Sequence, residues 1–209
     1  MKINMSLVII SAVKKNNYQK FDKGALKMSI YDPFKQSKTK PKIEEVIPEY
    51  LTGDNKQRAL DFATWLRTNK MSPAWKITNG WSNSSRGILY YIRLPLYDSH
   101  FRNLKQSEEM DWKKSWVLTP YLHHIDQYEE LIIKEKLQDF ILSGLHYCTP
   151  CPHRFCATEK TVFGNTIKNL CKGDLYGGLA LWYVNPTETE LIYLKRLLEL
   201  EKQARSEGF

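Results

Sequence analysis

Cys148, Cys151, Cys156 and Cys171 are the four cysteines of this chain of 209 residues, and they share one segment at the spacing C-x2-C-x4-C-x14-C. A C-x2-C turn lets two thiolates reach one ion from a single loop. Two later thiolates can complete the closed tetrahedral all-sulfur shell that zinc accepts. Four protein ligands leave no open position, so such a site is structural rather than hydrolytic. Pro150, Pro152 and Gly173 punctuate the segment. It has little apolar surface to bury, and a cross-link would have to order it. In a reducing cytosol that cross-link is not a disulfide. The expectation is one zinc ion held by Cys148, Cys151, Cys156 and Cys171. Three other chemistries compete with it: a redox dithiol formed by Cys148 and Cys151, four inert buried thiols, and an iron–sulfur cluster. His146 and His153 flank the first cysteines and are the nearest substitutes for a thiolate.

A second set is aromatic. Trp75, Trp81, Tyr91, Arg93 and Trp116 fall on strands expected to be neighbours, where they could wall a pocket for a flat or cationic small molecule. Strand alternation works against this, because it sends about half of such residues to the core. Tyr91 and Arg93 should face away from Tyr90 and Ile92. His123 and His124 stand at a strand-to-helix junction suited to a general base, but spacing ties no nucleophile to them. The motifs of phosphate loops, dinucleotide folds, serine-hydrolase elbows and helical zinc proteases are absent. The expected function is therefore a non-enzymatic module.

The elements that must position these residues read as α+β: a small antiparallel sheet packed by helices, with the cysteine-rich loop and a hairpin before a C-terminal helix. Ala59, Phe62, Ala63 and Leu66 repeat at helical spacing behind Asp54, which predicts a helix from 54 to about 69. Trp75 and Ile77, the turn residues 83–87 and the run 88–94 predict a hairpin. Trp116 and Leu118 begin a strand that Pro120 should end. Behind Asp126 come one helix or two short ones meeting near Lys136 and stopping at Gly144. Gly164 and Asn165 should turn a second hairpin, and 179–184 should form a last strand. Thr187 and Glu190 form a capping box before Leu191, Ile192, Leu194, Leu197 and Leu198.

Charge divides the chain. Residues 1–42 hold ten lysines against Asp22 and Asp32, so they carry the whole formal net charge of +8. Residues 1–45 read as a basic arm and linker, with Asp32 to Lys42 too polar to order itself, and 46–209 as a single domain. The arm is a possible phosphate contact, although nothing in the neutral body points to nucleic acid. The apolar run Leu7 to Val13 is too short to span a bilayer and lacks a cleavage site for a signal peptide. Cytoplasmic localisation is expected, without a membrane partner.

From Val46 onward, the runs VIPEYLTGDNKQRALDFATWLRTNKM, AWKITNGW and YYIRL, the YEELI helix, C-x2-C, TVFG and Cys171 resemble a family of uncharacterised small bacterial proteins with a cysteine-bearing C-terminal segment. The resemblance implies a cytosolic domain and transfers no catalytic residue.

Overall fold

A computed structural model describes residues 33–77, 80–83, 89–94, 114–147, 157–171 and 178–207. Three helices come first. Pro33 opens α1 (Pro33–Thr39) at the position where its fixed φ and missing N–H are tolerated. The Lys42 backbone N–H donates to the Glu45 carboxylate (3.3 Å) at the start of α2 (Ile43–Tyr50). Ile43, Val46 and Ile47, spaced i, i+3, i+4, are buried by this helix. The longer α3 (Gly53–Thr68) buries Ala59, Phe62, Ala63 and Leu66, the stripe expected of it. Asp54 lies in its first turn, and Thr52 occupies the capping position. Arg67 forks onto the Glu44 carboxylate (2.8 Å from Nη2) and fastens α3 to α2.

The stretch 32–42, expected to be a linker, thus carries a helix. Gln36 is fully buried, and the Pro41 carbonyl accepts a hydrogen bond from Trp81 Nε1 (2.9 Å). The folded unit begins before residue 46 because Ile43 completes an apolar stripe that the lysines around it obscure.

Four strands follow: β1 (Ala74–Ile77), β2 (Gly80–Asn83), β3 (Tyr90–Arg93) and β4 (Val117–Leu122). They form an antiparallel meander in which β1 pairs with β2 and β2 with β3, so the expected hairpin has one strand more than its spacing suggested. Pro120 sits within β4 instead of ending it. Its carbonyl accepts from Leu181 N–H (3.1 Å) on the side away from β3, so its missing donor faces that same side. There the partner chain steps between two short strands, β7 (Leu179–Ala180) and β8 (Tyr183–Val184), both paired with β4. No continuous ladder exists for the proline to interrupt.

Register sorts the side chains. Trp75, Trp81, Ile92, Leu118 and Tyr183 share one cross-strand row, facing the helices. Phe62 reaches that face and lies 6.2 Å from the Trp116 ring.

After β4 the chain makes a 3-10 turn at Ile125–Gln127 and two short helices, α4 (Glu129–Lys134) and α5 (Gln138–Ser143). The break falls at Lys136, as its position suggested, with φ at 59°. Its N–H reaches Ile133 and that of Leu137 reaches Ile132. Lys70 ends α3 in the same geometry, with φ at 56°. Both lysines occupy a left-handed position at which glycine is the usual residue. Gly144 does follow the last residue of α5, but not in a left-handed turn (φ −89°); what requires glycine is packing, since a Cβ there would come within 2.5 Å of the Tyr183 ring.

A separate two-stranded sheet holds β5 (Ala157–Val162) and β6 (Asn165–Cys171). Its turn is Phe163-Gly164, both at positive φ, one residue earlier than expected. The last helix, α6 (Glu188–Glu207), begins with the expected capping box: Glu190 N–H donates to Thr187 Oγ1 (3.3 Å) and Thr187 N–H to Glu190 (2.7 Å). Leu191, Leu194, Leu197 and Leu198 are buried, whereas Ile192, counted on this face from spacing, is 63% exposed.

Candidate functional site

Cys148, Cys151 and Cys156 lie outside the described residues, and Cys171 ends β6 opposite Ala157. The described residues contain no group of three or more His, Cys, Asp or Glu able to hold a metal. They do show what the chain brings to the edge of the segment. Tyr147, next to Cys148, bridges Leu170, next to Cys171. Ala157, next to Cys156, pairs with Cys171 itself. His146, considered as a substitute ligand, stacks on Trp182 with ring centroids 4.0 Å apart.

The five aromatic-pocket residues are parted by the sheet. Trp75, Trp81 and Trp116 pack into the main core, Trp81 and Trp116 almost completely buried. Tyr91 and Arg93 occupy the opposite face, with the guanidinium carbon 4.9 Å from the Tyr91 ring centroid. On that face Tyr91, Tyr121 and Ala180 form a small buried cluster apart from the main core. Five residues on two faces do not wall one pocket.

The most unusual chemistry is a buried carboxylate. Glu201 is 0% exposed, although it belongs to an exposed-type residue class. It is placed by α6, whose stripe runs Leu194, Leu197, Leu198, Glu201 and Ala204. Four donors converge on it: His124 N–H (3.1 Å) and Tyr128 Oη–H (2.7 Å) on Oε2, and His124 Nδ1 (2.9 Å) and Arg205 Nε–H (2.9 Å) on Oε1. Burial alone raises the pKa of such a carboxyl; here the hydrogen bonds from His124, Tyr128 and Arg205 outweigh it and hold Glu201 below its ordinary value. The Tyr128 hydroxyl moves the other way, pushed up by its own burial and by the neighbouring Glu201 charge.

An ionised carboxylate only accepts, so His124 Nδ1 carries the proton of their hydrogen bond. That leaves Nε2 as the acceptor in the neutral ring. The carboxylate therefore fixes both tautomer and orientation of an imidazole that is 23% exposed. Beside it, His123 stacks on Tyr121 and packs against Gly178, where a Cβ would approach its ring to 2.9 Å. The arrangement can hold an imidazole as a fixed acceptor and ties the end of β4 to the last helix.

Spacing had marked the two histidines but not their partner. The available signal was a lone glutamate at i+3 and i+4 from two leucines of an apolar stripe. No family model, curated protein or solved structure matches the chain, so the site is known by its geometry alone.

Proposed function

We propose that the protein is a non-enzymatic module in which Cys148, Cys151, Cys156 and Cys171 hold one structural zinc ion. The ion fastens the β5–β6 hairpin to the chain leaving α5. The observation that supports this is the double pairing at the hairpin's end, Tyr147 with Leu170 and Ala157 with Cys171. It brings the immediate chain neighbours of Cys148 and Cys156 to Cys171 and its neighbour Leu170, and Cys151 follows Cys148 by three residues. Consecutive Cα atoms are only about 3.8 Å apart, so the gathering restricts how far the thiols can separate.

A reduced, cytoplasmic setting belongs to the same proposal, since thiolates and not disulfides are the ligands. No described helix is long and apolar enough to cross a membrane.

Elemental analysis of freshly purified protein tests the reading. About one zinc per chain is expected, with the four thiols unreactive until a chelator is added. A zinc content far below one, unchanged by added metal and accompanied by rapidly reacting thiols, would remove the metal and leave Cys148 and Cys151 as a redox pair.

A further inference from the structure

The ends of α3 and α6 border an open cavity of about 180 Å³ beside β2. Among the described residues, the charged side chains lining it are cationic: Lys70, Lys202 and Arg205. Its apolar floor is Met71 and Leu89, both buried. Lys202 Nζ donates to the Asn69 carbonyl (2.7 Å), which engages one of the three donors of an ammonium group. Arg205 is anchored by Glu201 at 2.9 Å, its side chain only 10% exposed. Glu201 also takes the His124 and Tyr128 hydrogen bonds, so one carboxylate is shared among several donors; Glu199 lines the adjoining groove with Lys202, while Lys70 and Lys202 both line the cavity itself.

A cationic wall over an apolar floor matches a ligand with a charged end and a short apolar body. We propose that this cavity is a binding site for a small organic anion, its carboxylate held by Lys70, Lys202 and Arg205 and its body resting on Met71 and Leu89. The site is separate from the cysteine segment and does not depend on the zinc reading.

Lys70 provides the means to test it. Its left-handed backbone (φ 56°) is one that glycine adopts without steric cost. Lys136 has the same conformation and the same pair of helix-ending hydrogen bonds (φ 59°), but it does not line the cavity. If Lys70 serves only to end a helix, the two positions should respond alike to substitution.

Benzoate is the probe, with benzyl alcohol as its neutral counterpart, each titrated into the full chain by NMR or calorimetry. Benzoate is expected to saturate and the alcohol not. Lys70→Gln and Lys202→Gln should each weaken benzoate about tenfold, the loss typical of one charge-assisted contact. Lys70→Gly should raise the melting temperature and still weaken benzoate, whereas Lys136→Gly should raise the melting temperature and leave binding unchanged. Absence of saturation, equal binding of the alcohol, or equal benzoate affinity in Lys70→Gly and Lys136→Gly would overturn the proposal.

Discussion

Glu201 and the β5–β6 hairpin represent opposite ways of keeping polar chain in a fold. Around Glu201 the surroundings are among the best packed of the molecule. Leu194, Leu197 and Leu198 on the same helix are fully buried, and the carboxylate is stabilised by four hydrogen bonds. The hairpin pairs with no strand of the main sheet, and its backbone tie to the rest of the described residues is the bridge between Tyr147 and Leu170. It contributes Val162 and Leu170 to the main core, with Phe163 and Ile167 packed against it, while Glu159, Thr161, Thr166 and Lys168 are exposed. A charge can be held where apolar packing is plentiful and hydrogen bonds are complete. A polar hairpin with few buried side chains has less of either to hold it, and the proposed zinc would supply a staple of another kind.

The largest effect should come from removing the charge that the core is built around. Glu201→Ala leaves Arg205, His124 and Tyr128 without their shared acceptor, and the loss of one partner of a buried ionic network typically costs about 3–5 kcal/mol. Urea unfolding would measure it. A loss below about 1 kcal/mol would show that the network is dispensable and would break the contrast drawn above.

Acid sharpens the same point. The folded pKa of Glu201 lies below its unfolded value, because the hydrogen bonds from His124, Tyr128 and Arg205 overcome burial. Its contribution is therefore present above the unfolded pKa, near 4.5, and is lost as pH falls through the lowered folded value. The stability of the wild type should decline below pH 4.5 more steeply than that of Glu201→Gln. Parallel curves for the two proteins would deny Glu201 its role.

Gly144→Ala should have the next largest effect. A methyl placed 2.5 Å from Tyr183 ring atoms must displace a side chain that stacks on Phe140 at 4.6 Å. Overpacking of this sort costs about 1–3 kcal/mol, readable as a lower urea midpoint with an unchanged slope. A neutral result would mean that the ring shifts freely and that packing does not require glycine at 144.

The parts legible in the sequence are those fixed by local chemistry. Thr187 and Glu190 announced the start of α6, and Lys136 marked the break between α4 and α5. What stayed hidden depends on partners distant in sequence. Pro120 argues against a strand until β7 and β8 are seen to leave a gap opposite it. Ile43 reads as part of a lysine-rich linker until α3 supplies the surface that buries it. Glu201 is 77 residues from His124, and no local pattern joins them. The aromatic set failed to gather for the reason alternation gives, since residues one apart on a strand face opposite ways.

The smallest effect on global stability, and the most local one, is expected from Cys171→Ser. If the four cysteines hold zinc, removing one ligand releases the ion and the staple it provides. The hairpin's strands pair only with each other, so its opening need not unfold β2, β3 and β4, which are paired among themselves and covered by α2, α3 and α6. Such sub-global opening has its own free energy, below that of the whole domain. Hydrogen exchange should then show amides in 157–171 losing protection while those of 59–66 and 117–122 keep theirs, with the urea midpoint of the main unit moved by less than about 0.5 kcal/mol. Two outcomes would revise the comparison in different directions. Unchanged protection in 157–171 would mean that Val162 and Leu170 suffice to hold the hairpin without a metal. Loss of protection in all three segments together would mean that the hairpin and the core around Glu201 unfold as one unit.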